Sequence, residues 1–293
     1  MLFQGAYSAL ATPFVNGEVD EESYRALIEW QIEQGIDGLV AVGTTGESAT
    51  LSHDEHKRVI SICLEQANKR VPVVAGSGGN DTREAIELTS FAKQAGADAT
   101  LQVTPYYNKP SQEGLIEHYR AIARAAPMPM IIYNVPGRTS LNILPQTLAK
   151  LEKEVPEAVA VKEASANLKQ VSEVVEFCSD KFQVLSGDDF TVLPLLSVGG
   201  IGVISVVSNI VPAMMSNMCK AYHGGDTAKA KELHLAMSPL SRAMFFETNP
   251  VPLKEALKLM GKIASDEVRL PLVNMQPDNH AKLKVVLKAA ELI

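Results

Sequence analysis

The chain has 293 residues, of which 46% are hydrophobic and 21% charged, enough for a single α/β barrel with its core but short for two large domains. A net charge of -7 and a pI near 5.5 argue against nucleic acid as a partner, and without a run of 18 apolar residues no membrane span is expected. Residues 1–6 show no basic stretch leading into an apolar one, so no signal peptide is expected. Cys63, Cys178 and Cys219 are widely spaced and read as buried free thiols in a reducing compartment, which predicts a cytoplasmic protein.

Apolar runs alternate with amphipathic ones from the start of the chain. Candidate strands fall at 6–10, 38–42, 72–75, 99–103, 130–133, 159–162, 183–185 and 202–206, recurring roughly every 20 to 35 residues, with a helical pattern in each gap. After the second strand, Ser52-x-x-Glu55 is a capping-box pattern, and Val59, Ile60, Cys63, Leu64 and Ala67 follow at helical spacing. Asp81-x-x-Glu84 opens the next helix in the same way. Eight such units predict an α/β fold, a (β/α)8 TIM barrel over residues 1–224. A doubly wound open sheet is the alternative, but it has fewer strands as a rule, and no Gly-x-Gly-x-x-Gly follows the first strand. Beyond Val207 only helical patterns remain, at 213–222, 227–246, 252–260 and 279–292, and residues 225–293 are expected to form a C-terminal helical domain.

The organising stretch is Val159-Ala160-Val161-Lys162-Glu163, a buried strand ending in a lysine. That lysine could snorkel to the rim and solvate its ammonium. It could also be held in a pocket as an amine able to attack a carbonyl. Barrel enzymes build their sites at the C-terminal strand ends, and those positions hold Gly43-Thr44-Thr45-Gly46-Glu47-Ser48, Thr104-Pro105-Tyr106-Tyr107-Asn108, Tyr133-Asn134-Val135-Pro136-Gly137-Arg138-Thr139, Ser186-Gly187-Asp188-Asp189 and Ser205-Val206-Val207-Ser208. Hydroxyls, one lysine and one arginine therefore gather at one rim, which favours the reactive reading of Lys162. The Gly43–Ser48 loop could cradle a carboxylate or phosphate with its N–H groups, or simply be a tight turn. It lacks the ending of a P-loop. Tyr133 could be a packed aromatic with its hydroxyl at the rim, and Arg138 could face solvent or grip a carboxylate. Gly199-Gly200 reads as a helix-to-strand connection. His53 and His56 lack a third ligand, so no metal site is expected. Glu47 and Glu163 form no convincing acid/base pair.

These motifs together resemble the dihydrodipicolinate synthase / N-acetylneuraminate lyase family of pyruvate-dependent aldolases, along essentially the whole chain. The resemblance implies that Lys162 forms an imine with pyruvate and that Tyr133 shuttles protons. Thr44 links Tyr133 to Tyr107, the latter reaching in from a neighbouring subunit. It further implies that Thr45 holds the pyruvate carboxylate, that Arg138 holds the carboxylate of L-aspartate-4-semialdehyde, and that Gly187 and Ile204 line the pocket. No cofactor is implied. Ser48, Ala49, His53, His56, Asn80, Glu84 and Tyr106 are similar to a regulatory site for L-lysine at a dimer interface, so feedback inhibition and a homo-oligomer, a dimer of dimers, are expected. Gly137 departs from a serine found in some members, at a turn where glycine costs little. Lyases of the same family acting on N-acetylneuraminate, 2-keto-3-deoxy sugar acids or a hydroxyproline derivative are the alternatives, since these need hydroxyl partners for a polyol tail where Arg138 suits a short carboxylate. A non-catalytic ligand-binding barrel is the third reading, disfavoured by Lys162, Tyr133 and Thr44 occurring together.

Overall fold

The structure is a computed structural model and describes residues 3–293. Eight parallel strands form a closed barrel: β1 (Gly5–Ala9), β4 (Gly38–Ala41), β5 (Val73–Gly76), β6 (Ala99–Val103), β7 (Met130–Asn134), β8 (Ala158–Glu163), β9 (Gln183–Ser186) and β10 (Gly202–Ser205). A small antiparallel hairpin, β2 (Phe14–Val15) with β3 (Glu18–Val19), follows the first strand. The expected (β/α)8 barrel is therefore present. The strands fall within a residue or two of the apolar runs because these are buried on both faces, β8 for example being buried at Ala158 and from Ala160 through Glu163.

Helices fill the gaps, including α1 (Glu21–Glu33), α2 (His53–Ala67), α3 (Thr82–Ala95), α4 (Gln112–Ala125), the single turn α5 (Pro136–Thr139), α6 (Pro145–Glu154), α7 (Leu168–Phe177) and α8 (Val192–Ser197). The capping box of α2 is formed, with Ser52 accepting from the N–H of Glu55 and the Glu55 carboxylate accepting from the N–H of Ser52. Asp81 caps α3 through the N–H of Arg83. After the barrel come α9 (Pro212–His223), α10 (Thr227–Ala243), α11 (Val251–Leu259) and α12 (Pro277–Ala289). Helix α10 stops at Ala243, short of the expected 246, and Met244 caps it with its N–H on the carbonyl of Leu240. Among the described residues no helix is long and apolar enough to cross a membrane.

The chain divides into two compact units, one of residues up to 5 with 72–204, the other of 6–71 with 205–293. In the first, Met130, Ile132, Ala158, Val161 and Val184 of the strands pack against Leu115, Tyr119, Ile122, Leu148, Leu151, Val171 and Val174 of the helices. In the second, α1 buries Tyr24, Leu27 and Ile28, and α2 buries Val59, Ile60 and Cys63. Cys63 and Cys219 are buried thiols, as expected, but Cys178 is only half-buried, because it caps the end of α7 rather than lying on its inner face.

Candidate active site

In the first unit, β7 and β8 run parallel with Tyr133 opposite Lys162 and Asn134 opposite Glu163. Alternation along a strand sends Tyr133 and Lys162 to one face of the sheet and Asn134 and Glu163 to the other. Lys162 is 5% and Tyr133 6% exposed, and the Lys162 ammonium nitrogen lies 4.2 Å from the centre of the Tyr133 ring. An amine and a phenol are thus held together at the C-terminal ends of two neighbouring strands, the end at which barrels do chemistry. That placement is short of bulk water yet reachable, as an imine-forming amine requires.

Gly187 follows β9, and its N–H donates to the carbonyl of Glu163 at 2.8 Å. A Cβ at this position would stand 2.6 Å from Cβ of Ala164 and 3.0 Å from Cε of Lys162. Glycine is needed there because the backbone passes directly against the lysine stem. Ile204, within β10, is fully buried. Arg138 lies exposed on α5, whose first residue is Pro136 and whose turn is closed by the Thr139 hydroxyl on the carbonyls of Val135 and Leu141. Tyr107 is 90% exposed and adopts a left-handed backbone, φ 71°. A large aromatic side chain turned out in a strained conformation is unusual for a lone domain.

Asn80, Glu84 and Tyr106 come together in the same unit. The Asn80 amide donates to the carbonyl of Tyr106 at 3.3 Å, and Asn108 donates back to the carbonyl of Asn80 at 2.8 Å. Partial burial, with the Glu84 charge adding to it, pushes the Tyr106 phenol above its ordinary range.

In the second unit, the loop after β4 folds tightly on itself. The N–H of Gly46 and of Ser48 reach the carbonyl of Gly43, and that of Glu47 reaches Thr44. Val42 and Glu47 at either end are left-handed, with φ 56° and 54°, a conformation that is costly for a β-branched residue and typical of functional loops. Gly46 is closely packed: an added Cβ would sit 3.1 Å from the Thr12 hydroxyl and 3.2 Å from the carbonyl of Leu10. Thr44 is half-buried, whereas Thr45 is buried and accepts a hydrogen bond from the Asn249 amide at 3.0 Å. Because the amide donates to the Thr45 oxygen, the hydroxyl hydrogen is left to point elsewhere. Ser48 and Ala49 belong to a 3-10 turn spanning Ser48–Thr50, and His53 and His56 lie on the first turn of α2, His53 exposed and His56 buried.

Sequence reasoning missed the support behind this loop. Glu47 is buried and paired at 2.6 Å with Lys254 of α11, and both side chains are essentially inaccessible. The second Glu47 oxygen accepts the N–H of Arg269 at 3.1 Å. The only hint was a charged pair, Lys254-Glu255, inside the apolar run Val251–Leu257.

The profile of the Dihydrodipicolinate synthetase family matches residues 2–290. The chain is 62% identical over 293 residues, 100% of both chains, to the 4-hydroxy-tetrahydrodipicolinate synthase of Nitratidesulfovibrio vulgaris (strain Miyazaki F). It is similar in structure to a dihydrodipicolinate synthase from Acinetobacter baumannii complexed with pyruvate, with a TM-score of 0.96 and 46% identity covering 99% of each chain. A synthase from Cyanidioschyzon merolae with lysine bound gives a TM-score of 0.96 and 41% identity, covering 100% of this chain and 99% of that one. The strand-end lysine, its tyrosine neighbour and the full-length similarity agree, and the chain belongs to the dihydrodipicolinate synthetase family.

Proposed function

We propose that the chain is a lyase of the 4-hydroxy-tetrahydrodipicolinate synthase type, condensing pyruvate with L-aspartate-4-semialdehyde on the route to diaminopimelate and lysine. The observation that carries this reading is the buried Lys162 amine 4.2 Å over the Tyr133 ring at paired strand ends. The amine attacks the pyruvate ketone, water leaves, and the resulting imine draws electrons so that the methyl group gives up a proton. The enamine carbon then bonds to the aldehyde carbon, and the amine of the second substrate displaces Lys162 as the ring closes. Tyr133 moves protons in these steps, with Thr44 as a relay hydroxyl and Tyr107 supplied by a neighbouring subunit. Thr45 and the N–H groups of its loop take the pyruvate carboxylate, and Arg138 takes that of the semialdehyde. Gly187 and Ile204 line the pocket. The electron sink is the protein's own amine, and the proposed setting is a cytoplasmic homo-oligomer.

Regulation by L-lysine belongs to the same proposal, with Ser48, Ala49, His53, His56, Asn80, Glu84 and Tyr106 as its contacts. The lysine-bound relative supports it, as does the half-buried Glu84 carboxylate beside Tyr106, which suits an ammonium. The test is turnover of the two substrates through a coupled reductase, with borohydride trapping and with L-lysine at millimolar concentration, about 4 kcal/mol of binding. Pyruvate plus borohydride labels Lys162, Lys162→Ala removes the label, and lysine lowers turnover unless Glu84 is changed to Ala. A label on another lysine overturns the site. An adduct without turnover leaves a pyruvate aldolase with a different second substrate, and inhibition that survives Glu84→Ala overturns the regulatory contacts.

A further inference from the structure

Behind Lys162 and Tyr133, on the opposite face of the same two strands, lies a buried polar network that the reaction does not use. Glu163 is 2% and Asn134 0% exposed. One Glu163 oxygen accepts the N–H of Ser165 at 2.8 Å and the Asn134 amide at 3.2 Å; the other accepts Asn134 and Gln170, each at 2.9 Å. Asn134 also donates to Asn142 at 2.8 Å while its own oxygen accepts the N–H of Ile143 at 3.2 Å. Asn142 donates to Gln170 at 2.8 Å. Gln170 donates back to the Asn142 oxygen at 3.1 Å, so Asn142 and Gln170 exchange bonds, while every bond that reaches the Glu163 side chain comes from a donor and the carboxylate only accepts.

A buried carboxylate held by neutral amides is costly where Val, Ile or Leu would serve packing. It sits where the ladder runs out. Past Glu163 the chain leaves the sheet, with the N–H of Ala164 on the carbonyl of Asn134 at 2.9 Å and Ala166 already left-handed. The last backbone bonds across this strand end are that one and the N–H of Gly187 on the carbonyl of Glu163 at 2.8 Å, and a terminus held by so few frays readily. The Asn134–Glu163 bond crosses β7 and β8 one residue beyond the Tyr133–Lys162 pair, and Gln170 ties the same carboxylate to α7.

We propose that Glu163 is a positioning residue, fixing through this directional network the spacing of Lys162 and Tyr133. The proposal rests on the imine chemistry proposed above. In Glu163→Gln an NH2 replaces an acceptor against donors that cannot all turn round, since Asn134 is committed to Ile143. Displacement of the reacting pair by about 1 Å costs on the order of 100-fold in rate. The rate of borohydride-trapped adduct formation on Lys162 at saturating pyruvate is therefore expected to fall about 100-fold, with the pyruvate KM within a few-fold. The double variant E163Q/Q170E exchanges donor and acceptor between positions 163 and 170, the new carboxylate accepting from both the new amide and Asn142, while the Asn142 oxygen gives up its bond from Gln170 and keeps the one from Asn134; trapping is expected to recover to within about tenfold of wild type. Wild-type trapping in E163Q, at any melting temperature, overturns the proposal. So does a double variant that regains its melting temperature but not its trapping rate. Should E163Q fail to fold, Q170M, which takes one donor from the Glu163 carboxylate along with the Gln170–Asn142 bonds, must slow trapping several-fold, and an unchanged rate is equally fatal. Wild-type protein that forms no adduct with pyruvate would instead sink the imine reading itself, and the positioning role with it.

Discussion

The Glu47–Lys254 pair offers a quantitative test of how the loop bearing Thr44 and Thr45 is held. Lys254 has no accessible side-chain surface and Glu47 only 1%, and they meet at 2.6 Å. The Lys254 ammonium also lies 4.0 Å over the Phe14 ring. Burial pushes the Lys254 amine below its ordinary range, with the Glu47 carboxylate pulling it back up. Removing one member of such a pair leaves an uncompensated buried charge at a cost of about 3–5 kcal/mol, whereas replacing both with neutral groups is close to harmless. In Lys254→Met, the Glu47 carboxylate retains its bond from the N–H of Arg269 but loses its cation. For a chain of this size each kcal/mol shifts Tm by roughly 2–4 °C, so Tm should drop by about 10 °C. Glu47→Gln with Lys254→Met should regain more than half of that loss. The pyruvate KM should rise in the single variant, because Glu47 ends the loop turn that begins at Gly43. Calorimetry and urea titration on the two variants measure the effect. A double variant at least as unstable as Lys254→Met would refute the idea that the orphaned charge, rather than lost packing, sets the cost.

Two further outcomes follow from the geometry. Gly187→Ala places a methyl 2.6 Å from Cβ of Ala164 and 3.0 Å from Cε of Lys162, so borohydride labelling of Lys162 should fall at least about tenfold while circular dichroism stays native; full labelling would show that the lysine stem has room to move. Burial pushes His118 on α4 down to about 4, with its Nδ1 2.9 Å from the Thr82 hydroxyl, so between about pH 6.5 and 4 the unfolded chain takes up a proton that the folded one refuses. Stability present above pH 6.5 is then lost as pH falls, by about 3 kcal/mol at the limit, and His118→Gln should flatten Tm against pH in that window; an identical slope would exclude His118 as its source.

The barrel was legible because its signals are local. Each strand is an apolar run of a few residues, and the α2 capping box is complete within Ser52 to Glu55. Lys162 could be placed at a strand end for the same reason, and its pairing with Tyr133 follows from two adjacent strands ending in register. Glu47 was different, since its partner lies 207 residues away and nothing in a loop of small residues distinguishes a buried carboxylate from a solvated one. Lys254 sits in a helix whose inner face takes in seven consecutive residues, Val251 to Leu257, so no periodic pattern marks it as buried. Glu163 and Asn134 are readable as outward-facing by alternation, but outward from a barrel strand means into the helix layer, and solvent is not there. Cys178 was misread for a related reason: the periodicity of α7 continues to its last turn, while burial does not.

Two buried carboxylates lie close in sequence to residues proposed for the chemistry, and the proposed steps use neither. Glu163 follows Lys162 directly, and Glu47 follows Thr45 by two positions. Each sits where regular hydrogen bonding stops, at the end of β8 and at a left-handed turn. A strand terminus needs acceptors for donors that arrive from several directions, and a carboxylate supplies four lone-pair sites on a side chain short enough to stay ordered. An apolar residue there would fill space without fixing direction. The two carboxylates nevertheless differ in what balances them, an ammonium for Glu47 and neutral amides for Glu163. Neutralising Glu47 alone strands a cation and threatens the fold, whereas neutralising Glu163 reverses one hydrogen-bond direction and threatens the alignment of the strand ends. Stability and adduct formation should therefore separate between the two sites: melting temperature should respond chiefly to the Glu47 pair, and the rate at which Lys162 captures pyruvate chiefly to Glu163.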